Sequence, residues 1–184
     1  SLPSRGLGDV YKRQILQRSL LHQRRNNMFN IEKVSAHCDV PCGVYDPGEA
    51  QYAALSVIRF MDLINEMPDS DNFNKDDLAK FTRLVQQKEE HSIIAKNAVA
   101  VIWGDYFKAP QIEKHPGVHD LVHSIMMDGS KCKQGLHRED GLSLLSKINE
   151  FAEMFWATKE TETEKKISPY APNLEVVVPV LKSA

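Results

Sequence analysis

Residues 46–67, DPGEAQYAALSVIRFMDLINEM, predict an amphipathic helix. Asp46 is a favoured N-cap residue, and Pro47 suits the first helical position because an N–H there would have no partner. Apolar side chains then recur at helical spacing, and Pro68 with the polar run after it ends the pattern. The residues of this apolar face are Tyr52, Leu55, Ile58, Leu63 and Met67. A helix with one apolar face has to bury it against another element.

Three further segments show helical periodicity. We predict helices over residues 75–106, with Asn74 as N-cap, over 117–128 and over 138–159. The predicted buried side chains are Leu78, Phe81, Leu84, Val85, Ile93, Ile94, Val101 and Ile102 in the second helix, Val118, Leu121, Val122, Ile125 and Met126 in the third, and Leu142, Leu145, Ile148, Phe151, Phe155 and Trp156 in the fourth. The predicted fold class is all-α: residues 49–159 should form an antiparallel up-down four-helix bundle.

The charge distribution divides the chain into two parts. Residues 1–36 contain seven basic and two acidic residues, whereas residues 37–184 contain 16 basic and 23 acidic residues. Phosphate binding needs local positive charge, so this acidic core is not expected to bind nucleic acid. No run of about 18 apolar residues is present, and no membrane span is expected.

The two ends of the chain should lie outside the bundle. Residues 1–14 resemble translated adapter sequence and are set aside as non-native. Residues 15–36 are basic and end in small residues, which is typical of a removable leader or propeptide; the alternative is a basic extension without a role. Residues 37–48, HCDVPCGVYDPG, contain two prolines and two glycines and should form a hook. Residues 160–184 are predicted to be a flexible tail, in which LEVVVPV could pair as a short strand or dock on a groove.

The hook begins with two thiols and an imidazole within six residues, at His37, Cys38 and Cys42. Thiolates prefer soft or borderline metals, and imidazole suits zinc, copper, iron and nickel. Cleavage after Ala36 would add the free amine of His37 and an amide nitrogen as donors. A square plane of two nitrogens and two thiolates favours nickel(II) or copper(II) over zinc, which prefers a tetrahedron. The spacing alone also permits a zinc site completed by Cys132 or a histidine, a local disulfide, or two unrelated thiols.

The run HCDVPCGVYDP at residues 37–47 resembles the metal-binding hook of nickel superoxide dismutases, HCxxPCGxYxP, at every fixed position. Two later segments resemble other parts of the same family. They are WGDYFK at residues 103–108, with Glu113, Lys114, Pro116 and His119 after it, and FWATK at residues 155–159. The resemblance therefore covers residues 37–159.

The resemblance implies a superoxide dismutase that converts superoxide into dioxygen and hydrogen peroxide by cycling nickel between its divalent and trivalent states. The precursor would be cleaved just before His37. Nickel would then be bound by the amine of His37, by the amide nitrogen and thiolate of Cys38, and by the thiolate of Cys42. The imidazole of His37 would become an axial ligand on oxidation. Anionic thiolate and amide donors would stabilise nickel(III), which hydrated nickel does not reach easily.

The resemblance also implies roles for neighbouring residues and partners. Tyr45 and Asp39 would control access to the metal and order water, and Pro41 would turn the hook, with Val40–Pro41 a candidate cis peptide. The family assembles as hexamers, so a homo-oligomer is expected. A processing peptidase and a nickel-delivery partner are possible further partners. The compartment is expected to be the cytoplasm, or a plastid if the source is eukaryotic.

Two positions depart from the family pattern. Well-known members carry a Glu–Arg pair that orients the axial histidine, and this chain has Ala53 and His91 there. His91 could bond the imidazole of His37 instead, but solvent or another polar contact is favoured. Cys132 is expected to be a surface thiol in a linker. The alternatives to a dismutase are a non-catalytic zinc-binding or disulfide-clipped helical interaction module, and a nickel-trafficking relative without turnover.

Overall fold

The computed structural model describes residues 42–182. Its helices are α1 (Gly48–Asn65), α2 (Lys75–Val101), α3 (Ala109–Lys114), α4 (Val118–Gln134) and α5 (Arg138–Thr158), and its strands are β1 (Thr163–Ile167) and β2 (Glu175–Pro179). A 3-10 turn, Ser70–Asn72, precedes α2, and a π-helical turn, Ile102–Tyr106, follows it. The predicted segments 1–14 and 15–36 and the first part of the hook lie outside the described residues.

The four long helices form the predicted bundle. α1 packs against α2 and α5, and α4 packs against the same two helices, so the four surround one core. Fully buried side chains come from all four: Leu55, Ile58, Met61, Val99, Ile125, Leu144, Ile148, Phe151 and Phe155. The helical fold class is confirmed. No helix within residues 42–182 is long and apolar enough to cross a membrane.

Local capping signals explain where the helices begin. The side chain of Asn74 accepts hydrogen bonds from the N–H groups of Asp76 (2.8 Å) and Asp77 (3.0 Å), and Asp77 accepts one from the N–H of Asn74 (3.2 Å). This reciprocal capping box starts α2 at the predicted place. At α1 the N-cap is Pro47, one residue after the prediction, and Asp46 accepts from the N–H of Gly48 at 2.7 Å.

Part of the predicted apolar face of α2 lies on the surface. Leu78, Ile93 and Ile94 are 57%, 41% and 39% exposed, so their predicted burial is wrong. The residues that α2 does bury also recur at helical spacing. Most of them are small or polar, so a search for large apolar side chains misses them. Its buried residues are Lys88, Ser92, Ala95 and Val99.

Lys88 is 1% exposed and caps the end of α4. Its ammonium donates to the carbonyl oxygens of Cys132 (2.7 Å), Lys133 (2.8 Å) and Gly135 (2.7 Å). Carbonyls in the last turn of a helix lack partners within the helix and lie at the negative end of its dipole. One buried cation from α2 therefore satisfies three carbonyl groups at the end of α4.

Cys132 is not the surface thiol in a linker that we predicted. α4 continues past residue 128 to Gln134, and Cys132 is 0% exposed within it. The Gly129–Ser130 pair suggested a linker, but Gly129 serves close helix packing. A Cβ atom added there would lie 2.7 Å from Cγ of Lys96 on α2.

The thiol of Cys132 is expected to be inert in the folded, metal-free protein. Burial raises its pKa to about 12, and the neighbouring carboxylates of Asp140 and Asp128 act in the same direction. Because the thiolate is the nucleophile, iodoacetamide should modify exposed Cys42 readily. It should reach Cys132 only when the protein unfolds, so the rate of modification at Cys132 should be at least about 10³-fold lower than at Cys42. Peptide mass spectrometry over a time course measures both rates, and equal rates would contradict the buried position.

The flexible tail predicted for residues 160–184 is wrong for most of its length. β1 and β2 form an antiparallel hairpin in which Thr163 lies opposite Pro179. Val176 and Val177 are 6% and 1% exposed, because β2 packs against the bundle. The alternative that LEVVVPV pairs as a short strand is confirmed.

Two side-chain amides attach the hairpin to the bundle. Nε2 of Gln51 on α1 donates to the carbonyl of Val177 and to Oδ1 of Asn149 on α5, both at 2.9 Å. Asn149 in turn donates to the carbonyl of Glu175 at 3.0 Å and accepts from the N–H of Val177 at 3.3 Å. These contacts join residues that are far apart in sequence, so the composition of the tail cannot predict them.

Candidate metal centre

The described part of the hook begins at Cys42, which is exposed. The N–H of Val44 points at its sulfur, with a distance of 3.5 Å between nitrogen and Sγ. Gly43 between them has φ of 71°, in the left-handed region where glycine avoids the strain of a Cβ atom. The turn therefore places both polar groups of the Val44 backbone beside the sulfur, with the carbonyl oxygen of Val44 3.9 Å from Sγ.

Tyr45 attaches the end of the hook to the bundle. It is half-buried, and its ring centroid lies 5.8 Å from that of Tyr106. Tyr106 ends the π-helical turn, in which the N–H of Phe107 donates to the carbonyl of Ile102 at 3.3 Å. π turns are frequent at functional sites. Here the turn presents the ring of Tyr106 to Tyr45.

The end of α5 meets the same tyrosine. The hydroxyl of Tyr106 lies 2.5 Å from Oγ1 of Thr158, and Nζ of Lys159 lies 4.5 Å from the centroid of its ring. The ring of Phe155 lies 4.9 Å away on the buried side. The hook, the 103–108 segment and the 155–159 segment thus converge where α1 begins and where α2 and α5 end.

Sequence reasoning had assigned no role to Tyr106, Thr158 or Lys159. The segments at residues 103–108 and 155–159, which contain these three residues, were singled out only by their resemblance to a known family. Tyr106 and Thr158 are 52 residues apart, so no spacing rule brings them together. Their proximity depends on the bundle, in which α2 and α5 both end near the start of α1.

Ala53 and His91, the two residues that depart from the family pattern, both have a structural role within the bundle. Ala53 is 3% exposed within α1. Nδ1 of His91 lies 2.8 Å from the carbonyl of Gln87 and therefore donates to it, because a carbonyl can only accept. The ring of His91 lies 5.3 Å from that of Phe60. His91 thus makes a local polar contact, and the family's ion pair cannot form because Ala53 has no charged group.

The remaining predicted site residues lie outside the described range: His37, Cys38, Asp39 and Pro41. Within residues 42–182, no group of three or more His, Cys, Asp or Glu side chains is arranged to hold a metal ion. Cys132, which the zinc alternative offered as a fourth ligand, is a buried, protonated thiol and is unsuited to that role. An exposed Cys42 thiol that receives an N–H bond suits nickel, which accepts thiolate and nitrogen donors.

Comparison with known proteins gives a consistent result. The model of the nickel-containing superoxide dismutase family matches residues 32–159. The nickel superoxide dismutase of Streptomyces coelicolor is 38% identical over 127 residues, which cover 69% of this chain and 91% of that protein. The enzyme of Streptomyces seoulensis is 37% identical over 128 residues, covering 70% and 92%.

Solved structures agree with the sequence comparison. The native nickel superoxide dismutase structure at 1.30 Å resolution superimposes with a TM-score of 0.61 at 36% identity, covering 67% of this chain and 99% of that one. A structure with the nickel ligation of the oxidised state has the same TM-score and coverage at 35% identity. The hairpin after residue 159 lies beyond the family match. With most of the chain matched in both sequence and fold, this protein belongs to the nickel-containing superoxide dismutase family.

Proposed function

We propose that the chain is the precursor of its enzyme and that cleavage between Ala36 and His37 creates the active form. As a member of its family it is a nickel superoxide dismutase, which converts superoxide into dioxygen and hydrogen peroxide. The proposed ligands are the amine and imidazole of His37, the amide nitrogen and thiolate of Cys38, and the thiolate of Cys42. Bound nickel supplies a one-electron couple between nickel(II) and nickel(III), tuned by the anionic donors.

The observation that best supports this proposal is the position of Cys42 relative to the bundle. Tyr45 packs against Tyr106 three residues after Cys42, and Pro47 is buried two residues further on. Cys42, one of the proposed ligands, therefore lies a few residues from the end of the bundle where the three family-like segments converge. Asp39 is proposed to order water near the metal and Pro41 to turn the hook; both lie outside the described residues.

The described residues suggest how this end of the bundle serves the reaction. Tyr45, within the hook, packs against Tyr106, and we propose that this aromatic pair restricts access to small molecules. The ammonium of Lys159 over the ring of Tyr106 places positive charge there. In an acidic chain, such local charge would attract an anionic substrate. Formation of hydrogen peroxide from two superoxide anions also takes up two protons, for which the Tyr45 hydroxyl is a candidate carrier.

Assembly and processing complete the proposal. The exposed Leu78, Ile93 and Ile94 on α2 support self-association, which we propose to be hexameric. A peptidase would remove residues 15–36, and a delivery partner would supply nickel, in the cytoplasm or in a plastid of a eukaryotic source.

A matched pair of chains tests the cleavage requirement. One begins at His37 and the other keeps Ala36 as a single extra residue. We expect nickel binding and dismutase activity in the first and neither in the second, because a peptide bond at His37 removes the amine donor. Elemental analysis, a dismutase assay and native mass spectrometry measure metal, activity and assembly.

Two results would contradict the proposal. A nickel-loaded, active chain that still carries Ala36 would show that the free amine is unnecessary. Zinc content without dismutase activity in the chain that begins at His37 would instead favour the non-catalytic module.

A further inference from the structure

The hydroxyl of Thr158 makes two contacts that together fix the direction of a hydrogen bond. Oγ1 of Thr158 lies 2.6 Å from the carbonyl oxygen of Phe155 and 2.5 Å from the hydroxyl oxygen of Tyr106. A threonine hydroxyl has one hydrogen to donate and two lone pairs that accept. The carbonyl of Phe155 can only accept, so the single hydrogen of Thr158 must point to it. Tyr106 is therefore the donor in its contact with Thr158.

This assignment determines what the hydroxyl of Tyr106 can do on its other side. Its only hydrogen is directed at Thr158, so the remaining capacity of the phenol oxygen is to accept. Any further group that bonds to this oxygen, a water molecule or another hydroxyl, has to donate to it. The ring itself is held by Phe155, which is fully buried, and by the exposed side chain of Lys159.

We propose that Thr158 is a positioning residue of the dismutase: it accepts the hydrogen of the Tyr106 hydroxyl and so keeps the phenol oxygen, in the tyrosine pair that Tyr106 forms with Tyr45, as a hydrogen-bond acceptor. The inference rests on the proposed function of the hook. A donor bound to Tyr106 would be oriented with respect to the metal site, so protons would be delivered along a defined direction. Thr158 would act through Tyr106 and would not touch superoxide.

The test uses nickel-loaded enzyme that begins at His37, and three variants of it. Thr158→Val keeps the shape of the side chain and removes the acceptor, Thr158→Ser keeps the hydroxyl, and Tyr106→Phe removes the donor. We expect Thr158→Val and Tyr106→Phe each to lower kcat about tenfold, in the range found for residues that support a metal's ligands. Thr158→Ser should restore most of the activity, which a purely structural role would not require.

A double variant and a matched control complete the experiment. Thr158→Val added to Tyr106→Phe should cause no further loss, since both changes remove one interaction. Thr82→Val is the control, because the Thr82 hydroxyl donates to the carbonyl of Leu78 at 2.8 Å on the exposed face of α2. It should leave kcat unchanged. Nickel content is measured for every variant.

Several outcomes would overturn the inference. Full activity in Tyr106→Phe would contradict it even if Thr158→Val failed to fold. Additive losses of kcat in the double variant would also contradict it, and so would a Thr158→Ser variant as slow as Thr158→Val. The proposed function fails in a different way, namely if the unmodified chain that begins at His37 binds no nickel or does not remove superoxide.

Discussion

Replacing Cys42 with serine is expected to abolish nickel binding and superoxide dismutation together. A serine hydroxyl stays protonated and is a hard donor, so a neutral oxygen would replace a soft anionic sulfur. Changes in residues that only support metal ligands already cost about 10–100-fold, so loss of a ligand should lower activity by more than about 100-fold. Elemental analysis and a dismutase assay of the variant that begins at His37 measure both effects.

Cys132→Ala is the matched control for this prediction. Cys132 is a buried thiol within α4, so its loss should cost some stability and leave nickel content and activity per folded chain unchanged. The opposite pattern, nickel lost from Cys132→Ala and kept by Cys42→Ser, would mean that the metal site lies elsewhere in the chain.

Replacing Lys88 with methionine should have the largest effect on stability of any single lysine in the bundle. Methionine fills a similar volume but donates no hydrogen bond, so the carbonyls of Cys132, Lys133 and Gly135 would lose a shared donor at 2.7–2.8 Å. Hydrogen bonds to charged groups contribute about 1.5–3 kcal/mol each, and such losses are not additive. We expect the free energy of unfolding to fall by about 3–5 kcal/mol, measured by urea denaturation.

Lys80→Met is the control on the same helix. Lys80 is exposed, so its replacement should change the free energy of unfolding by less than about 0.5 kcal/mol. If Lys88→Met were as stable as Lys80→Met, the three contacts at the end of α4 would contribute nothing measurable.

The sequence by itself determined those features that depend on neighbouring residues. Asn74 starts α2 with a capping box because all three groups involved lie within four residues. The helix predicted over 138–159 is Arg138–Thr158 in the structure, since its apolar spacing and its end are both local. The donors of the hook also lie within six residues of one another, and the resemblance of this run to a family motif, not its spacing, pointed to nickel.

Only the tertiary structure decided which distant groups meet. Cys132 was predicted to lie on the surface and Lys88 was not among the predicted buried residues, yet α2 and α4 approach closely at Gly129 and bury both. The tail was predicted to be flexible from its own composition. The Gln51 and Asn149 amides that hold it belong to α1 and α5, far from the tail in sequence. Likewise, Tyr106 and Thr158 form one hydrogen bond across 52 residues. Such contacts arise from the packing of whole helices around a shared core, and no short window of sequence contains the partners.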